Sequence, residues 1–324
     1  MTGFAIQRLL QAIAVMLVMS AIVFLGVYAI GDPMELLIPP EAPQDIRREI
    51  VARFGLDRPL WVQYLTFLGN VVQGDFGRSF IYNMPVLDLI LGRLPATLEL
   101  TLAAVLGATL IGVPLGIYAG YRPDRAGARI VMALSILGFS VPTFWVGLIL
   151  ILTFAVSLGW LPAGGRGATV ELLGTQWSFL TANGLSHLLL PALNLALFKL
   201  AMMIRLARAG TREIMLTDTV QFARAAGLAE TTILRHHVLK LIAIPIVTVF
   251  GLELGSTLAF AVVTETIFSW PGLGKLIIDS ITNLDRPVMV AYLILVALLF
   301  VTINLVVDIL YAALDPRVRR GRTA

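Results

Sequence analysis

The 324-residue chain contains no cysteine, which excludes disulfides, thiolate metal sites and a cysteine nucleophile. Histidine is scarce, with three in all. His236 and His237 are neighbours in sequence and diverge by about 100° on a helix, so they do not converge on one ion. His187 stands alone, and no metal site is expected. HExxH, GxSxG, paired intramembrane aspartates and the phosphate-cradling GxxxxGK[ST] are all missing. The chain therefore carries no recognised motif for hydrolysing a nucleotide, and neither enzymatic activity nor a cofactor of its own is expected.

Charge is also in short supply. Only 14% of residues are charged while 58% are hydrophobic, and the mean hydropathy is +0.89. Soluble domains carry roughly a quarter charged residues, so a polytopic membrane protein is expected. The net charge of +4 and pI near 9.6 invite a nucleic-acid reading. However, the arginines fall in blocks between apolar runs, with no basic stripe interleaved with aromatics. Membrane orientation accounts for them, and no nucleic-acid partner is expected.

What the chain has in abundance is long apolar runs. Stretches near 9–30, 96–120, 130–158, 185–204, 241–264 and 288–311 are each long enough to cross about 30 Å of hydrocarbon as helices. An all-α membrane fold of six spans follows, in contact with lipid. The first run, Leu9 to Ile30, is about twice as long as the apolar core of a cleaved signal peptide. A retained span is expected, with cleavage after Ala29 as the alternative. Loop 121–129 carries Arg122, Arg125 and Arg129, whereas loop 159–184 carries only Arg166. The positive-inside rule then places both termini in the cytoplasm.

The whole chain, 1–324, reads as one membrane domain with a core of about 96–311. Residues 31–95 form an outer subdomain between the first two spans. It holds Pro39, Pro40 and Pro43, the amphipathic DIRREIVARF, and RPLWVQYLTFLGNVV. In the last of these, Trp61, Tyr64, Phe67 and Leu68 predict an interfacial helix.

Inside the second span, Ala104, Ala108, Gly112, Gly116 and Gly120 recur every fourth residue and predict a smooth strip for close helix packing. Gly251 and Gly255 repeat that spacing in the fifth span. Pro114, Pro142 and Pro245 are candidate kink positions. Glu253 lies near the middle of the fifth span and must face protein or water. It either lines a solute path or sits hydrogen-bonded as a protonated structural acid. Asn194 and Asn304 line the same path or join helices. Lys199, Asp308, Glu99 and Glu265 lie nearer span ends, where snorkelling to the interface is expected.

Residues 212–240, REIMLTDTVQFARAAGLAETTILRHHVLK, form a polar island between two apolar segments. Thr217 or Asp218 can start a short helix, VQFARAA continues it, and Gly227 supplies a left-handed stop. Val220 and Ala223 share one side with Phe222 nearby, and Ala225 and Ala226 keep the helix slim. This pattern suits docking into a groove of another protein. Its rival is an amphipathic helix lying on lipid headgroups.

The same segment, 213–240, resembles the EAA loop of ABC importer permeases, with ARAAGL followed by RHHVLK and Gly227 at the family's glycine. FGLDRPLWVQYLTFLGNVVQGDFGRS, RLPATLELTL, SVPTFWVGLILI, LGWLPAGG, LPALNLAL, TETIFSWPGLGKL and NLVVDILYAALDPRVR narrow the resemblance. They look like the first permease subunit of the oligopeptide/dipeptide/nickel branch, over about Arg8 to Arg320. The resemblance implies a type I permease fold in the bacterial inner membrane, forming half of a translocation pathway for dipeptides or oligopeptides. It further implies a second, homologous permease, two cytoplasmic ATPase subunits that bind ATP and Mg, and a periplasmic or lipid-anchored solute-binding protein.

By the same analogy, Glu213, Gln221, Ala223, Arg224, Ala225, Gly227 and His237 serve ATPase coupling. Glu265, Pro271, Gly272 and Gly274 shape an outer turn, and Asp315 and Arg317 fix the cytoplasmic end of the last span. Gln221 and Phe222 depart from the superfamily's Glu and Ala, Thr219 from a frequent Tyr, and Ala229 from a frequent Ser. Nickel chelates and glutathione remain open as cargo. The rival from another class is a solitary ion-coupled transporter or channel using Glu253.

Overall fold

The computed structural model describes residues 2–29, 43, 45 and 58–314. Pro39, Pro40, most of DIRREIVARF, Asp315 and Arg317 lie outside the described residues, as does the side chain of Asp308. Where lipid offers no hydrogen bonds, an apolar backbone satisfies its own polar groups by becoming helical, and most of the described chain is helix.

In order, the elements are α1 (Thr2–Ala29), α2 (Leu60–Val72), α3 (Val86–Tyr121), α4 (Ala126–Ser140) and α5 (Thr143–Leu150), which runs on as a π-helical turn Ile151–Ser157. A small antiparallel hairpin follows, β1 (Val170–Leu172) and β2 (Thr175–Trp177), in register Val170 to Trp177 and Leu172 to Thr175. Its two turn residues, Leu173 and Gly174, have φ of 56° and 74°, the left-handed pair that a tight hairpin requires. The chain continues as α6 (Ala182–Met215), α7 (Asp218–Ala225) and α8 (Glu230–Ile233), the last leading through a π-turn, Leu234–Val238, into α9 (Leu239–Phe260). It ends with α10 (Val262–Ile267), α11 (Leu273–Thr282) and α12 (Arg286–Leu314).

Four described helices are long and apolar enough to cross a membrane: α3, α6, the joined Glu230–Phe260 and α12. Helices α4 and α5 form a sharply bent apolar pair with the length and composition of one broken span or of a re-entrant loop. In α1, the expected first span, the described apolar segment is the shorter Ile13–Gly26. The apolar run over 130–158 breaks at its candidate kink position, Pro142. Pro142 cannot donate to the ladder and disfavours helical geometry in the residue before it. Val141 is accordingly extended, with φ −92° and ψ 132°. Pro114 and Pro245, by contrast, sit inside unbroken helices.

The chain divides into two compact units, 1–94 with 272–301 and 95–271 with 302–324. In the first, α2 is tied to α1: Tyr64 shares a hydrogen bond with Ser20 (2.8 Å), and Phe24 stacks obliquely on Tyr64 and Phe67 at 5.4 and 5.7 Å. Fully buried Asp285 accepts hydrogen bonds from the Ser79 hydroxyl and from the amides of Phe80 (3.2 Å) and Ile81 (3.3 Å). This carboxylate holds the turn before α3.

In the second unit, the small-residue strip of α3 meets α6, as its spacing predicts. A β-carbon at Gly116 would lie 2.5 Å from the Ile204 carbonyl and 2.6 Å from the Ala207 side chain. At Gly112 it would lie 2.8 Å from Met203. Glycine is thus the residue that lets these two backbones touch.

Candidate functional site

The polar island folds as a handle on the end of α6. Thr217 occupies the N-cap of α7, but its hydroxyl donates back to the Ile214 carbonyl at 2.7 Å and does not cap the new helix. At the other end the Leu228 amide donates to the Ala223 carbonyl (3.1 Å) and the Gly227 amide to Arg224 (2.9 Å). That pairing is a Schellman motif with Gly227 as its left-handed residue, φ 79°.

Val220, Ala223 and Ile233 form a small buried core under the handle, packed against Ile214 and Met215. Those two α6 residues also pack against the neighbouring cluster Val113, Ala207, Val238, Ile242 and Ile246. The handle's core is therefore continuous with the core of the helices above it. Ala223 faces inward, which corrects its expected placement on a docking surface. The outward face belongs to Leu216, 75% exposed, and Phe222, 77% exposed, together with exposed Glu213, Gln221, Arg224, Ala225 and Gly227. His237 is half-buried within the π-turn.

Arg224 donates to Glu230 at 2.7 Å, clasping α7 to α8. The hydrogen bond to Glu230 holds the guanidinium above its usual value. The same bond, helped by the Tyr121 hydroxyl at the end of α3, holds the Glu230 carboxyl below its own usual value. Neither Tyr121 nor Glu230 was singled out from sequence; Glu230 lies six residues from Arg224, a separation with no helical meaning until Gly227 turns the chain.

Among the membrane-embedded polar groups, Glu253 on α9 pairs with Lys199 on α6. Lys199 does not snorkel, because its ammonium has a carboxylate within reach. Asn194 is buried on α6 and donates to the Thr264 hydroxyl at 2.9 Å, while its amide oxygen has no partner among the described residues. The buried amide oxygen of Asn304 likewise lacks one. The structure does not bring Asn194 or Asn304 into hydrogen-bond contact with Glu253.

The snorkelling expectation also fails for Glu99 and Glu265, both buried. Glu99 accepts from Arg166 Nε (3.0 Å) and from the hydroxyl of Ser178 (2.8 Å). It thereby anchors the β1–β2 hairpin to α3. Glu265 accepts from the Thr97 hydroxyl at 2.7 Å, and its carbonyl receives the Trp270 amide at 2.8 Å. Trp270 is fully buried and donates its indole N–H to the Ala96 carbonyl (2.8 Å). The turn from α10 to Pro271 is thus closed by Glu265 and Trp270. Gly272 is the N-cap of α11, and Gly274 lies buried in its first turn. No group of three or more histidine or acidic side chains suited to a metal occurs among the described residues.

Comparison with known proteins places this geometry. Residues 112–320 match the family described as binding-protein-dependent transport system inner membrane component, and residues 1–101 match its N-terminal companion. The chain is 40% identical to the oligopeptide transport system permease protein AppB of Bacillus subtilis, covering 98% of this chain and 99% of that one. It is 42% identical to the di/tripeptide transport system permease protein DppB of Pseudomonas aeruginosa, covering 90% and 91%. With the glutathione transport system permease protein GsiC of Escherichia coli K12 it shares 38% identity over 98% and 99%. A chain of the inward-facing MetNI methionine ABC transporter superposes with a TM-score of 0.54 at 18% identity, covering 70% of this chain and 96% of that one. The fold is therefore that of an ABC importer permease, and a solitary ion-coupled carrier is not favoured. The chain belongs to the family of inner-membrane components of binding-protein-dependent transport systems.

Proposed function

We propose that this permease subunit is driven through the handle at residues 213–240, on which separate ATPase subunits dock. It forms half of a path for peptides beside a second, homologous permease. An external binding protein delivers the cargo, and the handle and both termini face the cytoplasm. The observation that carries this reading is the shared packing of Ile214 and Met215, which belong at once to the handle's core and to the core between α3, α6 and α9. A force applied to α7 is thus transmitted to packed helices and is not absorbed by a slack loop. ATP binding on the partners then biases a two-state bundle through differential contacts on the handle.

Phe222 is the anchor residue: it is large, apolar and exposed, on a helix whose other side is buried. A partner groove that covers it gains roughly 1.5–3 kcal/mol. Peptide cargo is supported by the relatives that transport oligopeptides, di- and tripeptides and glutathione.

The test is co-purification of the partner ATPase subunits with Phe222→Ala in detergent. Association should fall by about tenfold or more, as a loss of that size implies, while thermal stability of the permease is unchanged. Undiminished association would remove Phe222 from the docking surface.

A further inference from the structure

We infer that Lys199 and Glu253 form an exchangeable charge pair that receives the two charged ends of a zwitterionic solute. The inference rests on the permease reading above and names the substrate chemistry of one point on the path.

Both residues lie inside helices long and apolar enough to cross a membrane. Lys199 is six residues, about 9 Å, from Arg205 at one end of the apolar part of α6. Glu253 is twelve residues, about 18 Å, beyond Leu241 in α9. A charge at that depth is tolerated only against protein or water. The pair is not sealed in protein, since the Lys199 and Glu253 side chains keep 12% and 14% of their surface open.

Nor is its hydrogen-bonding capacity used up. The ammonium has three donors, and Glu253 is its acceptor among the described residues. On the carboxylate, Oε2 takes the lysine and a distant Ser256 hydroxyl at 3.4 Å, while Oε1 accepts from no described residue. A buried pair kept for stability alone is normally saturated by further hydrogen bonds. This one has an open edge carrying a spare donor and a spare acceptor of opposite charge.

The chemistry of the occupant follows from the balance of charge. The pair sums to zero, so a lone anion or cation would leave the site charged in a medium of low dielectric. A solute bearing one carboxylate and one ammonium leaves it neutral and supplies a partner to each side chain. A short peptide with free termini has that constitution.

The experiment uses the complete complex, permease pair with ATPases, in lipid nanodiscs without the external binding protein. Equilibrium binding is measured for radiolabelled dialanine, N-acetyl-dialanine and dialanine amide. The expected result is saturable binding of dialanine and at least tenfold weaker binding of both capped forms. Lys199→Met with Glu253→Leu should abolish that discrimination, while the exchange Lys199→Glu with Glu253→Lys should retain it. Equal binding of all three probes to the unmutated complex, or no dialanine binding at all, overturns the proposal. So does discrimination that persists in a stably assembled neutral double variant. If the double variant fails to assemble, the capped-probe comparison on the unmutated complex decides alone. ATP-driven peptide uptake by proteoliposomes that also contain the binding protein reports separately on the permease reading itself.

Discussion

Gly227 shows how one residue can carry a local fold. Its φ of 79° suits glycine, and no heavy atom lies within 4 Å of where a β-carbon would stand. A substitution there meets open space, so its cost is purely conformational. Gly227→Ala should destabilise the handle by about 1 kcal/mol, and Gly227→Asn by less, because asparagine tolerates the left-handed region. Amide hydrogen exchange at residues 218–233 reads this directly; equal protection in all three proteins would contradict it.

The Arg224–Glu230 clasp gives a second prediction at this scale. The carboxyl is held below its usual value by the arginine, so its stabilisation is fully present above the ordinary carboxylate pKa of about 4.3. It is lost as pH falls through the lowered folded value. The guanidinium stays protonated across that range and adds no pH window of its own. Because both side chains are about 40% exposed, at 43% and 40%, the effect is small and screened by salt. Handle protection should be flat from neutral pH to about 5 and loosen only in stronger acid. In Glu230→Gln that acid step should disappear.

Single residues were only partly legible in the sequence. Gly227 was, because backbone chirality leaves few residues able to end a helix in that way. The partners of Glu99, Lys199 and Glu265 were not, because each lies across the fold. Ala223 was misplaced because its spacing marks a face without saying whether that face meets a partner or the chain itself.

Elements were far more legible, since length and apolarity in lipid dictate helix with little competition. The every-fourth-residue strip of α3 predicted a close helix contact, and it packs on α6. Gly116→Ala should therefore destabilise the permease by about 1–3 kcal/mol, the usual cost of overpacking. Gly107→Ala, on the same helix with nothing within 4 Å, should be close to neutral. Thermal unfolding of the two variants in detergent is the comparison, and equal losses would show that the strip does not pack as described. The break at Val141 lies beside Pro142, a kink candidate in the sequence, whereas the hairpin over 170–177 was missed. Proline bends some helices and not others according to tertiary support, and three-residue strands leave almost no periodic signal.

For the whole molecule, the central claim is that a partner grips the handle on the cytoplasmic side and moves the bundle through it. The absence of cysteine from the chain makes this unusually direct to test, because Gln221→Cys, exposed beside Phe222, supplies this chain's sole thiol and leaves the anchor in place. In sealed, right-side-out vesicles of the assembled complex, that thiol should resist a membrane-impermeant maleimide added outside. In opened vesicles, a short bifunctional reagent should link it to an ATPase subunit, with a yield that changes between nucleotide-free and ATP-bound states. Labelling from the outside, or no link to an ATPase in either state, would contradict the account.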